Sequence, residues 1–207
     1  MEEEGIIWLK LMIEQEMLLI IKQFSKDNMG DDDIHGFSHV KRVLNSCLYL
    51  GKKLNANLLI LEISALLHDI GRKHENNDIN GKNHAEFSAG MALNFLNSRD
   101  FQLSHVEIEN VIHSIRSHSF SNNILPNTIE AKILSDADKL DALGAIGIFR
   151  TIGFAIKKGA GLKKVIDHLE RKIMKLKDQM NLLISKELAE ERHQIILDFY
   201  NNIRNEM

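Results

Sequence analysis

The sequence has very few of the residues that cross-link or interrupt a protein fold. It contains one cysteine, Cys47, and one proline, Pro126, in 207 residues. A single cysteine excludes an intramolecular disulfide and suits a reducing compartment, so we expect a cytoplasmic protein. Aromatic residues make up only 6% of the chain. Because aromatic residues are enriched in β-strands, their scarcity favours helix over sheet.

The chain also lacks a strong charge imbalance and any long hydrophobic run. Its formal net charge is -3, so the molecule as a whole does not attract nucleic acid, and we do not expect nucleic acid as a partner. The longest early apolar run, residues 17–21, is far too short to span a bilayer. Three glutamates follow Met1, whereas secretory and transit signals are positively charged there. We therefore expect no membrane partner.

What the chain does contain is helix-forming sequence with apolar residues at helical spacing. We predict an all-α helical bundle that forms a single domain over residues 1–207. Its core covers about residues 25–158, and an N-terminal helix (6–24) and a C-terminal helical extension (162–205) pack on it. The core helices are predicted at 37–53, 58–70, from 84, from 105 and at 128–158, the last with glycines that allow a break. Asn83 with Glu86 and Ser104 with Glu107 have the spacing of capping boxes.

The most informative stretch is residues 63–71, where an apolar run ends in His68, Asp69 and Gly71. Adjacent side chains on a helix point about 100° apart, so His68 and Asp69 cannot lie on one stripe. They can converge on one ion where the helix ends, and Gly71 is placed to end it. The alternative is an ordinary helix end with His68 tucked in and Asp69 in water. The dipeptide alone favours that alternative.

A second acidic segment, residues 133–142, adds weight to the metal hypothesis. Wound as a helix, it places Asp138 and Asp141 on the apolar face, whereas Asp136 falls with lysines and is predicted to face solvent. A buried acid needs a partner, and a metal ion is a common one. A salt bridge in the core is the alternative. The metal interpretation is slightly favoured for Asp138, with Asp141 as support.

The same geometry ranks the histidines. His39 lies at the edge of a buried stripe, His118 falls near an apolar face, and His84 begins a helix, whereas His113 falls on a polar face. Each could be an ordinary core histidine. The set of His39, His68, Asp69 and Asp138 nevertheless provides nitrogen and oxygen ligands from three helices, which suits Mn, Fe, Co, Ni or Zn better than Ca.

Three segments in order resemble the HD-domain superfamily of metal-dependent phosphohydrolases. They are His39-Val40-Lys41-Arg42-Val43, His68-Asp69-Ile70-Gly71 and Ala137-Asp138-Lys139-Leu140-Asp141-Ala142. The resemblance implies that the metal ligands are His39, His68, Asp69 and Asp138. Some members of the family bind a second ion through further histidines, with the aspartate of the His–Asp pair as the bridge. The resemblance implies that His84 and His118 are those histidines here and that Asp69 is the bridge. Many relatives have an acidic residue at the position of Gly36, for which His35 or Asp33 could compensate.

The reaction implied by the resemblance is metal-assisted hydrolysis of a phosphoester. The substrate would be a nucleotide or another small phosphorylated metabolite. The implied catalytic residues are Asp69, which orients a water molecule, Arg72, which contacts phosphate, and His118, which protonates the leaving oxygen. The alternatives are an HD-type di-iron oxygenase and a non-catalytic module that senses a nucleotide. A lysine-rich segment at 157–177 either steers an anionic substrate or is an ordinary solvated face.

Overall fold

The computed structural model describes residues 2–75, 83–119 and 122–207, and all regular structure within these ranges is helical. The predicted all-α class is therefore confirmed. In chain order the helices are α1 (Glu2–Asn28), α2 (Phe37–Leu54), α3 (Leu58–Leu67), α4 (Arg72–Glu75), α5 (His84–Asn97), α6 (His105–His118), α7 (Ile129–Asp141), α8 (Gly144–Lys157), α9 (Leu162–Arg171) and α10 (Leu183–Asn205). A 3₁₀ segment, Ile173–Gln179, connects α9 with α10.

Side-chain caps fix where several helices begin. The Ser104 capping box at the start of α6 is present as predicted. At the start of α5 the Asn83 side chain accepts hydrogen bonds from the backbone N–H groups of Ala85 and Glu86. The carboxylate of Glu86, in contrast, accepts a hydrogen bond from Asn122 instead of closing a box. The predicted cap at Asn83 is thus correct, and the predicted role of its glutamate is wrong.

Helix α3 is the centre of the bundle, as its nearly continuous apolar sequence predicted. Its side chains belong to two buried clusters, since Leu61 and Ala65 face α2 and α7, whereas Ile63 and Leu66 face α1, α5 and α6. A helix buried on opposite sides places its C-terminal end deep inside the molecule. The His68–Asp69 pair follows directly after that end.

The helix boundaries differ from the predicted ones where tertiary contacts decide them. Helix α1 continues to Asn28 because the buried Ser25 hydroxyl donates a hydrogen bond to the carbonyl of Leu66, which extends the packed face of the helix. The segment 128–158 breaks before Gly144, which has a φ of +70°. A loop is expected between the helices predicted at 58–70 and from 84, but residues 72–75 form the short helix α4, and residues 76–82 lie outside the described ranges.

Asp136 does not face solvent, and this prediction is wrong. The residue is completely buried, and its carboxylate accepts hydrogen bonds from the backbone N–H groups of Asn181 and Leu182 and from the Asn181 side chain. Periodicity within one helix could not predict this, because the covering chain comes from the C-terminal extension 45 residues away. Asp136 therefore anchors the start of α10 to the core helix α7.

Within the described ranges, no helix combines the length and the apolar character needed to cross a membrane.

Replacing Asp136 with asparagine tests the anchoring role. The variant loses the charge and one strong acceptor while the backbone donors stay buried, so the free energy of unfolding in urea should fall by about 1–3 kcal/mol. The matched control is Glu187→Gln, an acid-to-amide change at an exposed position of α10. Equal stability of the two variants would show that Asp136 does not anchor the extension.

Candidate metal centre

The four predicted ligands come together from three separate parts of the chain. The Nε2 atom of His39, in the first turn of α2, lies 3.3 Å from Nε2 of His68 and 3.3 Å from Oδ1 of Asp138. One oxygen of Asp69 lies 3.7 Å from Nε2 of both imidazoles. His39, His68 and Asp69 are fully buried, while the side chain of Asp138 is 24% exposed. The cluster therefore has a buried floor and one edge that opens toward solvent.

The turn after α3 brings His68 and Asp69 into one site. Helix α3 ends at Leu67, and the N–H of Arg72 bonds to the carbonyl of Asp69. The N–H of Gly71 donates to the Ser88 hydroxyl of α5, and a Cβ atom at Gly71 would clash with the backbone of Ser88. Only glycine permits this close approach, which holds the turn against α5 and directs both side chains inward.

Three of the imidazoles are oriented by hydrogen bonds at Nδ1. In His68 and His118, Nδ1 lies 2.8 Å and 2.6 Å from the carbonyl oxygens of Ala65 and Ile115. In His39, Nδ1 lies 2.7 Å from a carboxylate oxygen of Asp141. Since carbonyls and carboxylates only accept, each Nδ1 carries the proton. In a neutral imidazole of this tautomer, Nε2 presents its lone pair to the centre, as a metal ligand does.

A second ligand set uses the other oxygen of Asp69. That oxygen lies 3.6 Å from Nε2 of His84 and 3.7 Å from Nε2 of His118. The Nε2 atom of His118 is buried and has no hydrogen-bond partner within the described residues. A buried polar atom without a partner is costly, and a cation would satisfy it. The ligand atoms thus form two triads, His39–His68–Asp69 and Asp69–His84–His118, that share one carboxylate.

The two acids of the cluster are held in their ionised form. Burial alone would raise the pKa of Asp69, but the Arg72 guanidinium holds it well below its ordinary value. Burial opposes ionisation of Asp138 as well, and its hydrogen bond with His39 lowers its pKa well below the ordinary value. Burial lowers the pKa of His68 to about 4, so this imidazole is neutral near pH 7. Neutral imidazole and ionised carboxylate are the forms that bind metals.

Asp141 holds His39 from behind and does not face the cluster centre. It is buried, and besides His39 it binds two arginines, Arg42 at 2.7 Å and Arg150 at 2.8 Å. Its predicted burial on the apolar face is therefore correct, but its support for the cluster is indirect. Burial would raise the pKa of Asp141, yet the hydrogen bonds from His39 and Arg42 lower it to about 2. Arg42 was missed by sequence reasoning, although it lies one helical turn after His39.

Arg72 contacts Asp69 directly. Its guanidinium donates two hydrogen bonds to the two oxygens of Asp69, at 2.7 Å and 2.9 Å, and the side chain remains 29% exposed. The predicted contact of Arg72 with phosphate stays a prediction. The neighbouring Lys73 donates to the backbone carbonyl of Met29.

Many members of the resembled family have an acidic residue at the position of Gly36. In this chain the backbone packs too closely around that position for a side chain. A Cβ atom there would clash with the carbonyl oxygens of Gly30 and Asp32, so the tight turn before α2 requires glycine. Burial and then the charges of Arg72 and Arg150 lower the pKa of the neighbouring His35 to about 4.

The residues present fit a divalent transition metal. The donor set consists of imidazole nitrogens and carboxylate oxygens, and the partnerless Nε2 of His118 points into it. The Nε2 atoms of His39 and His68 lie 3.3 Å apart. Their lone pairs repel one another unless a cation lies between them or one of the two atoms is protonated. Burial lowers the pKa of His39, but its hydrogen bonds to Asp138 and Asp141 raise it above the ordinary value overall.

Comparison with known proteins assigns the chain, with its helical bundle and its buried histidine–aspartate cluster, to a family. The HD domain family matches residues 36–143. The curated protein YpgQ of Bacillus subtilis is 35% identical over 181 residues, which cover 84% of each chain. A crystal structure of Bacillus subtilis YpgQ in complex with ADP has a TM-score of 0.76 at 31% identity and covers 94% of this chain and 97% of that one. An HD-superfamily hydrolase from Bacillus thuringiensis has a TM-score of 0.69 at 30% identity, with 93% and 97% covered.

The chain belongs to the HD-domain family, and its fold is that of HD-superfamily hydrolases. This confirms the resemblance found in the three sequence segments. The matched region begins just before His39 and ends just after Asp141, so it contains both ligand triads and Asp138.

Changing Asp141 to asparagine tests whether the residue orients His39. The amide cannot accept from His39, Arg42 and Arg150 together, so the imidazole loses its fixed orientation. We expect the affinity for Mn²⁺ or Zn²⁺ to fall about 10–100-fold in competition with a chelator. Asp33→Asn is the matched control, because that exposed residue offers Arg42 only its backbone carbonyl. An Asp141→Asn affinity equal to that of the control would contradict the orienting role.

Proposed function

We infer that this protein is a metal-dependent phosphohydrolase that acts on a nucleotide or another small phosphorylated metabolite. The observation that carries the proposal is the convergence of four imidazole Nε2 atoms on the two oxygens of one buried carboxylate, Asp69. Such a group is costly to bury unless it binds something cationic. We further propose that residues 1–207 form a single domain, because α10 packs on both α7 and α8 of the core.

The residues that would hold the first ion are His39, His68, Asp69 and Asp138. A divalent ion of Mn, Fe, Co, Ni or Zn supplies Lewis-acid activation of water and of a phosphoryl oxygen when bound. Asp69 lies between the two triads, where its carboxylate can hold and orient the attacking water. Arg72 keeps Asp69 ionised, and the exposed part of its guanidinium can meet a phosphate oxygen.

The proposed role of His118 depends on how many ions are bound. With one ion, His118 would act as an imidazolium that keeps the proton at Nδ1 and passes the proton at Nε2 to the leaving oxygen. With two ions, His84 and His118 would hold the second one together with Asp69. The equal approach of His84 and His118 to one oxygen of Asp69 supports the two-ion arrangement.

A nucleotide is the favoured substrate class. YpgQ of Bacillus subtilis, which shares the fold at 31% identity, has been crystallised in complex with ADP. In the present chain the partly exposed Asp138 gives the buried cluster an edge that a phosphate can reach. A nucleoside phosphate would thus bring its charged group to the cluster and leave its base outside it.

The proposal is tested with Asp69→Ala and Asp138→Ala. Each variant removes a whole carboxylate from the cluster, so we expect a loss of bound metal and a fall of at least 100-fold in the hydrolysis of a chromogenic phosphoester. Metal content is measured by mass spectrometry and hydrolysis by absorbance. Glu187→Gln, on exposed α10 surface, is the control and should change neither quantity. Unchanged metal content in both aspartate variants would refute the metal-dependent mechanism.

A separate measurement decides between the one-ion and two-ion arrangements. His84→Ala and His118→Ala should each lower the bound metal from two ions per chain to one, whereas His113→Ala should not, because the ring nitrogen of His113 contacts the backbone N–H of Asn127. One ion per chain in the unaltered protein would assign His118 to proton transfer. Two irons with oxygen consumption and no phosphoester hydrolysis would favour the di-iron oxygenase, which the shared carboxylate could also serve.

A further inference from the structure

A small pocket lies between α8 and α9, and none of the residues that line it belongs to the histidine–aspartate cluster. Its volume is about 170 Å³. Phe154 forms one wall, Thr151, Ala155 and Ala160 form an apolar floor, and His168 closes the far side. Small side chains on the floor leave the Phe154 ring accessible, and that ring is 38% exposed. An exposed aromatic wall over an apolar floor suits a flat, apolar ligand group.

The rim of the pocket is positive. The exposed side chains of Lys158 and Lys164 line it, and no acid is among the described residues that do so. The ammonium of Lys158 lies 5.8 Å from the centroid of the Phe154 ring. By contrast, the adjacent Lys157 is paired with Asp32 at 3.1 Å. Two lysines of the basic segment are therefore available to an anion at the pocket mouth, whereas their neighbour is not.

The pocket wall is tied to the surroundings of the metal centre through residues 34 and 35. The His35 ring packs edge-on against Phe154, with 5.7 Å between centroids. The carbonyl of the preceding residue, Ile34, accepts a hydrogen bond of 2.7 Å from Arg150. Arg150 also contacts Asp141, the residue that holds His39, at 2.8 Å. Two residues, Arg150 and Asp141, therefore connect this segment with a proposed metal ligand.

We propose that this pocket receives the nucleobase of the substrate, with the base against Phe154 and the sugar–phosphate passing His35 on its way to Asp69. The inference rests on the proposed function, because it assumes that the phosphoryl group binds at the cluster. Lys158 and Lys164 then lie where they can attract the charged part of the nucleotide. A base is the group that fits, because every nucleobase has a flat apolar face and stacks on aromatic side chains without regard to sequence.

The pocket also gives a function to Phe154 on α8, which the proposed metal chemistry does not use. Helix α8 supplies Arg150 to Asp141 and, one turn later, Phe154 to the pocket. Helix α8 therefore carries both the arginine that contacts Asp141 behind His39 and the aromatic ring proposed to contact the base, and it holds the two at a fixed distance from one another. Substrate selection and metal binding would share one rigid element.

The test compares a nucleotide with a probe that lacks the base. Saturation-transfer NMR on the full chain with Zn²⁺ added, a diamagnetic ion that leaves the proton signals sharp, measures contact with ADP and with ribose 5-phosphate, and neither measurement needs turnover. In Phe154→Ala and in Ala160→Leu, which fills the floor, the saturation of the adenine protons should fall at least fivefold. Binding of ribose 5-phosphate should change less than twofold. Where hydrolysis is measurable, KM for the nucleotide should rise about tenfold in Phe154→Ala, the loss expected for one stacked base.

Phe149→Ala is the matched control. It removes the same side chain from the same helix at a position that is 51% exposed and does not line the pocket. The adenine signals should be unchanged in this variant. Thermal melting confirms that each variant is folded, and Ala160→Leu retains the test if loss of Phe154 unfolds the chain.

Two outcomes would overturn the inference. Adenine saturation that is unchanged in both pocket variants would place the base elsewhere, and an equal loss for ADP and ribose 5-phosphate would mean that the pocket binds an anion and not a base. A chain that binds ADP through the pocket but lacks metal and hydrolysis would refute the proposed function and leave a base-binding pocket that serves no hydrolysis.

Discussion

The arrangement of the whole molecule depends on one buried carboxylate, Asp69. It lies at the end of the central helix α3, fully removed from solvent, with four imidazoles within 3.7 Å of its oxygens. An isolated charge in such a place would cost far more than a domain can supply, so its surroundings must compensate it. Arg72 provides part of that compensation through two hydrogen bonds. The imidazole nitrogens around Asp69 are suited to bind a metal ion, and the charge of that ion would provide the rest of the compensation.

The surroundings of the cluster have a layered order that follows from the same constraint. Three of the four imidazoles that face Asp69 are oriented by a hydrogen-bond partner behind them, which is a backbone carbonyl for His68 and His118 and a carboxylate for His39. The carboxylate behind His39, Asp141, is itself neutralised by two arginines from α2 and α8. Burial of one functional charge has thus required a chain of paired charges, which links α2 with the consecutive helices α7 and α8.

Much of the site could be predicted because its residues carry strong local signals. The pair His68–Asp69 ends an apolar run, and Asp138 interrupts an apolar helical face, so each stands where a charge is costly. The resemblance to the HD-domain family added the order and flanks of these segments, and the family assignment is confirmed. Asp136 shows the limit of the method. It lies on the lysine side of its own helix, but the chain at Asn181 covers it, and no periodicity within α7 contains that information.

By itself the sequence determined the all-α class, most of the helix starts and the residues that could serve as metal ligands, because spacing, caps and local polarity are short-range properties of the chain. Tertiary structure alone decided that Asp141 supports His39 from behind, that Arg72 contacts Asp69 and that Phe154 packs against His35. These relations join residues from different helices. They depend on how the helices pack and on which charged side chains that packing buries, and no single segment of the sequence encodes either property.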